Sequence, residues 1–389
     1  MSLAVVSASC TFWQRANFYG VWGSNAGSPS IRRGGSNGFR VQEPFRSQGA
    51  GPDSPVVAYA ISLTSLELPK ASSVLDAAEV LIRSIRDACA FSAYGCETVA
   101  FVLPNINEEG RRHVEGMGWR IIVKDLPVAV EDIENQPYRE HVVNSGCCGA
   151  DEFIKLHAYT LMEFHRVVHL DVDTLVLHPL DQLMESDASL LYTTDPAMSL
   201  TGQKVFPVQG GFLLVRPDLA VYEDLQAIVR KGDWRKGHGW SDSKIGWFYG
   251  GATIQGLLPY YYNVFAKGAA IEVDRCVYNH MSDTDACCNE RFSATIPLGA
   301  TSQESRGSTS SAAPAVVAIR SVHFTQACPK PWLCAPVSGT GVPPGASPCA
   351  SLQSAWLEGR KAILADKGLP ISEACDFRGK YLPIPRNRL

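Results

Sequence analysis

The sequence predicts an α/β fold, a mostly parallel sheet covered by helices on both faces. Three observations predict it. Short β-rich runs alternate with helical stripes, the order that builds strand–helix–strand units. Runs such as Val56–Leu63 (VVAYAISL) are apolar at nearly every position, as strands buried on both faces are. Two carboxylates, Asp171 and Asp173, stand one residue apart where the run Arg166–Leu170 ends. In open parallel sheets ligands sit outside the carboxyl ends of the strands.

Taken in order, Val56–Leu63 follows Pro55 and reads as the first core strand. Ser73–Cys89 places Val74, Leu75, Ala78, Leu81, Ile82, Ile85 and Cys89 on one helical stripe, with Ser73 as N-cap. Thr98–Leu103 is a second strand stopped by Pro104. A short polar helix at Glu108–Glu115 and a third strand at Trp119–Val123 follow. Glu152–Phe164 predicts the helix that leads into the central strand, Arg166–Leu170. Leu190–Thr194 is a further strand, closed by Asp195-Pro196. The paired glycines of Gln209-Gly210-Gly211 stand before the apolar run Phe212–Val215. They read as unusual dihedrals, as close approach of a ligand, or as a plain turn. Leu219–Val229 is a helix, as is Ala252–Leu258, which Pro259 is expected to end.

Lys231–Gly251 sets Trp234, Trp240, Trp247, Phe248 and Tyr249 among six glycines. Such a loop suits stacking on sugar rings, or its aromatics plug into the core. Ala315–Ile319 resumes β character and leads into Val322-His323-Phe324, and Leu352–Leu364 reads as a surface helix.

At 389 residues, with 46% hydrophobic and 19% charged residues, the chain can bury one large core. A formal charge of −4 gives no general footing for nucleic acid. No apolar run approaches the length of a membrane span, and no secretory signal opens the sequence. Residues 1–53, rich in Ser, Gly and Arg, are expected to be mostly disordered. They are compatible with an organellar presequence or with a start that has lost an anchor. Twelve cysteines, mostly in loop-like stretches of the second half, favour disulfides and a Golgi or other secretory lumen; scattered thiols in a cytoplasmic enzyme are the other reading. Leu298–Pro314 is low-complexity and is expected to be a disordered insertion.

Alternate residues of an extended segment project to the same side, so Asp171 and Asp173 can face one hard cation, Mg²⁺ or Mn²⁺. Buried charge of that density is costly unless something positive neutralises it. A loop Asp and a capping Asp after an ordinary strand are the plain alternative.

Lys155-Leu156-His157 together with Val168–Leu177 (VHLDVDTLVL) resembles the core of the family 8 glycosyltransferases, the retaining, glycogenin-like group. The resemblance runs from about Val56 to Trp332. It implies a single GT-A domain with a Rossmann-like, mostly parallel sheet at residues 54–335, interrupted at 298–314 and followed by a C-terminal extension at 336–389. It implies a divalent metal, Mn²⁺ or Mg²⁺, on Asp171, Asp173 and His323, the last within a V-H-F element followed by Lys330-Pro331-Trp332. It implies a UDP-sugar donor, with an unidentified glycan, protein or lipid as acceptor. Substrate contacts carried over by the resemblance are Lys155, Val172, Gln209, Gly210, Gly211 and Lys330, with Tyr59 near the nucleobase. The resemblance further implies that Asp195 faces the donor sugar, with Gln255 the candidate beside the anomeric carbon.

Three departures stand out. Gln209-Gly210-Gly211 occupies the place of Asn-Ser-Gly, the gap from His323 to Lys330 is one residue longer than expected, and Ile254 replaces the acid of D-Q-G-L-L. Self-glucosylation is therefore not inherited by analogy. A degenerate nucleotide-sugar binding protein and a nucleotidyltransferase are the rivals; the latter needs a Gly-rich phosphate loop that Ile61–Leu68 does not offer.

Overall fold

The computed structural model of the chain describes residues 44–47, 50–67, 71–146, 148–199, 202, 204–281, 287, 292–293, 317–325, 328–334 and 348–386. Residues 1–43 and 298–314, expected to be disordered, lie outside them. The described chain runs β1 (Val56–Leu63), α1 (Ser72–Cys89), β2 (Gly95–Val102), α2 (Glu108–Gly116), β3 (Arg120–Val123) and α3 (Gln136–Val142). It continues through β4 (Arg166–Leu170), β5 (Thr174–Val176), β6 (Leu190–Thr194), β7 (Val208–Val215) and α4 (Leu219–Lys231). A small hairpin, β8 (Trp234–Arg235) and β9 (Gly239–Trp240), precedes α5 (Ile254–Val264), β10 (Ala270–Glu272) and α6 (Arg275–Tyr278). Last come β11 (Phe292–Ser293), β12 (Val317–Ala318), β13 (Ser321–His323) and α7 (Pro348–Asp366).

Seven strands form one sheet in the order β10-β6-β7-β4-β1-β2-β3. Neighbours are parallel except at β7, which runs antiparallel to both β4 and β6. This is the mostly parallel α/β sheet expected, and it is consistent with a single GT-A domain. Alternation along β1 sends Ala58 and Ala60 into one core and Val57, Tyr59, Ile61 and Leu63 into the other. Burial on both faces is why its sequence is a continuous apolar run.

Helix α1 packs against the sheet through Leu75, Ala78, Leu81, Ile82 and Ile85. Its outer side, with Ala77 and Val80, enters a third cluster with Leu352, Trp356 and Leu364 of α7. The C-terminal helix, expected on the surface, is thus one side of a core. Among the described residues four disulfides, Cys89–Cys96, Cys276–Cys287, Cys328–Cys349 and Cys334–Cys375, bear out the expectation of disulfides.

Several elements differ from expectation for identifiable reasons. Ser73 lies inside α1; Ala71 is the N-cap and makes no side-chain bond. The stretch before β4 is a 3₁₀ helix over Gly149–Thr160, not an α-helix over Glu152–Phe164. The glycines Gly210 and Gly211 lie within β7, so the plain turn is excluded. Pro259 sits inside α5, because burial of Leu257, Leu258, Tyr260, Tyr261 and Tyr262 holds the helix together around it.

Candidate active site

Strand β4 ends at Leu170, and a tight turn, closed by Thr174 N–H donating to Asp171 O at 3.1 Å, leads into β5. The turn carries Asp171, Val172 and Asp173. Strand β5 leaves the main sheet and pairs antiparallel with β13, setting Thr174 opposite His323. Phe324 N–H donates to Asp173 O at 2.8 Å, which fixes β13 beside the turn. Two segments 150 residues apart in sequence (173 to 323) thereby place three candidate metal ligands together.

Asp171, Asp173 and His323 each offer a ligand atom within 4.8 Å of the others. His323 Nε2 is 3.2 Å from Asp173 Oδ1 and 3.9 Å from Asp171 Oδ2. Two carboxylates and one imidazole, on a half-buried wall, form a donor set suited to Mg²⁺ or Mn²⁺. The residues fit the metal that the resemblance implies.

Two lysines flank the trio. Lys330 Nζ lies 2.8 Å from Asp173 Oδ2. Lys155 Nζ, buried, lies 2.8 Å from Asp171 Oδ1 and 2.9 Å from Glu152 Oε2, and donates to Gly210 O at 3.2 Å. Burial alone would raise the pKa of Asp171, and Asp173 pushes the same way; the Lys155 ammonium, with His323, outweighs both and holds it below the usual carboxylate range. Burial likewise opposes ionisation of Asp173, but His323 and then Lys330 hold its pKa down. Burial would lower the pKa of His323, yet the two aspartates raise it. For Lys155 the aspartate and glutamate overcome burial, and the ammonium is retained.

Gly211 explains the paired glycines. Its dihedrals are ordinary, but a Cβ there would meet His323 Cε1 at 2.4 Å and Nδ1 at 2.6 Å. The close approach is by a protein side chain. Gln209 Oε1 accepts from Gly211 N–H, so its amide braces the same strand. At Gly210 a Cβ would meet Ile254 Cδ1 at 3.3 Å, Lys155 Nζ at 3.4 Å and Glu152 Oε2 at 3.5 Å. The N-terminus of α5 is therefore brought to the Lys155–Glu152 pair.

Asp195 is buried at the end of β6 and caps the turn Pro196–Met198, accepting from Ala197 N–H at 3.1 Å. Gln255 donates to Met198 Sδ at 3.6 Å and packs against Gly250. Asp195 and Gln255 thus meet through one turn. Tyr59 is 2% exposed, among the core residues of β1, and burial pushes its pKa up.

The aromatic loop divides. Trp234, Trp240 and Phe248 are buried, whereas Tyr249 is 61% exposed. Trp234 stacks on His141 at 4.6 Å and Trp240 meets Tyr138 edge-on at 5.2 Å. Most of these rings fill the core, contrary to the sugar-stacking expectation. Glu152 was missed by sequence reading; its signal was the i, i+3 spacing to Lys155.

No family model matches the chain, and no curated protein matches it. The chain is similar to solved glycosyltransferase structures. An active-site mutant of LgtC has a TM-score of 0.45 at 13% identity, over 77% of this chain and 95% of that one. LgtC, described as a galactosyltransferase in complex with donor and acceptor sugar analogs, has a TM-score of 0.41 at 14% identity, over 78% of this chain and 95% of that one. The apo form of the glycosyltransferase GlyE of Streptococcus pneumoniae TIGR4 has a TM-score of 0.40 at 14% identity, covering 83% of this chain and 66% of that one.

Proposed function

We propose that the chain is a metal-dependent, retaining hexosyltransferase that moves a sugar from a UDP-sugar to an acceptor. The observation that carries this reading is the convergence of Asp171, Asp173 and His323 from two distant segments, with Lys330 on the exposed side. In this reading those three residues hold Mn²⁺ or Mg²⁺, which when bound supplies charge stabilisation for the departing diphosphate. Lys330, 42% exposed, moves from Asp173 to the diphosphate oxygens when the donor enters. Lys155, kept charged by Glu152 and Asp171, stays fixed beneath and keeps Asp171 ionised.

Gln255 stands beside the anomeric carbon, and Asp195 orients the donor sugar. A primary amide is a poor nucleophile, so transfer is by front-face displacement. The bond from the anomeric carbon to the phosphate oxygen breaks, a bond to the acceptor oxygen forms on the same face, and the phosphate takes the acceptor's proton.

The test is UDP release from a panel of UDP-sugars, with Mn²⁺ and with chelator, together with UDP binding. Metal-dependent release from one sugar, abolished in Asp173→Ala with the fold intact, is the expected result. No UDP binding in the presence of Mn²⁺ would overturn the reading. A binding protein without turnover is the second reading, favoured by Ile254 in place of an acid. It predicts tight UDP binding and no release.

A further inference from the structure

We infer that the C-terminal segment 348–386 positions Lys330 against the metal ligands, acting through a disulfide clasp around the Lys330 turn. The inference rests on the proposed role of that site. Lys330 caps the 3₁₀ turn Pro331–Leu333, and cysteines flank the turn on both sides. Cys328 is bonded to Cys349 at the start of α7, and Cys334 is bonded to Cys375 beyond its end. Between them Trp332 packs on Trp356 of α7 with ring centres 5.6 Å apart. Gln353 of α7 donates to Pro329 O at 2.7 Å. Four independent links thus tie residues 328–334 to one helix and the chain just after it.

The segment needs a fixed point of its own, and α1 provides it. Asp76, fully buried on α1, accepts from Tyr381 Oη at 2.6 Å and Ile384 N–H at 2.8 Å, and pairs with Arg386. Glu79 pairs with Lys367 and, at 3.2 Å, with Arg386. The same helix is the reference for the aspartate half of the site. Ser84 Oγ of α1 accepts from Val176 N–H at 3.1 Å, and Val176 closes β5, which starts one residue after Asp173. Asp173 and Lys330 are therefore both referenced to α1, one through β5 and the other through α7 and its disulfides. A lysine on a free turn would lose both backbone and side-chain entropy on meeting a diphosphate. The clasp settles the backbone part of that cost during folding.

The test is a double-mutant cycle read by UDP affinity in saturating Mn²⁺. Cys328→Ser with Cys349→Ser opens the first clasp without leaving a lone thiol. Its dissociation constant for UDP is expected to rise about tenfold in the native background, and to change less than about twofold in a Lys330→Ala background. Equal losses in both backgrounds, or no loss in either, would overturn the inference, because a merely structural bond would act without regard to Lys330. If the double-serine chain does not fold, Gln353→Ala carries the same comparison. A weakening of about threefold that vanishes with Lys330→Ala supports positioning, and additivity overturns it. Failure of the unmodified chain to bind UDP with Mn²⁺ overturns the proposed function itself, a separate and prior outcome.

Discussion

A Cβ on Gly211 would stand 2.4 Å from the His323 ring, closer than any real Cβ contact, so something must shift. The backbone there is a central strand buried on both sides, whereas His323 ends a three-residue strand at the site's wall. The ring is the part that yields, and it leaves the place it holds beside Asp171 and Asp173. Gly211→Ala is therefore expected to weaken Mn²⁺-dependent UDP binding by about tenfold or more, given the cost of ångström-scale misplacement. Retained affinity, measured by titration calorimetry, would show that His323 does not hold the cation. Gln255 presents the opposite case. It touches Met198, in the turn that Asp195 caps, so Gln255→Ala should lower turnover more than donor affinity. A pure affinity loss would leave Gln255 as a binding residue only.

Elements held by local periodicity were legible in the sequence, and those held by distant partners were not. β1, β4 and β6 have the bounds their apolar runs predict, because each run is buried on both faces. The three-residue strands β5, β10 and β13 exist only through pairing with chain far away, and no run of a few residues announces that. The aromatic loop misled for a similar reason: Trp234 and Trp240 donate to Gly246 O and Gly251 O, satisfying their indoles inside the core. Strand β5 also carries a prediction. His178, two residues past its end, is buried against Arg320, and burial, then that guanidinium, lower its pKa to about 4. The unfolded chain then takes up a proton on His178 at a higher pH than the folded one. Stability is intact above the ordinary histidine pKa and falls as pH drops from about 6.5 toward 4. His178→Gln should remove that part of the decline. Urea midpoints at pH 7 and pH 5 check it, and equal acid sensitivity in the variant would place the effect elsewhere.

At the scale of the molecule, the site is where three cores meet. The aspartate turn lies where the main sheet ends, and Leu175, Val322 and Phe324 around it belong to the cluster closed by α7. The sequence resemblance named Asp171, Asp173, His323 and Lys330, because a short motif marks each. It left the C-terminal segment as an extension, because nothing local in α7 says what its buried face meets. That meeting is with α1, and its anchor is a carboxylate rather than an apolar patch. Asp76→Ala would strip Tyr381, Ile384 and Arg386 of their common acceptor and leave the guanidinium with Glu79 as its carboxylate partner. Breaking a buried pair of this kind costs about 3 kcal/mol. The expected outcome is an unfolding free energy, from denaturant titration, lowered by that amount, with protection from hydrogen exchange lost first in α7. A change within about 0.5 kcal/mol, ordinary for a surface substitution, would mean that the disulfides and Trp332–Trp356 hold the segment without help from α1.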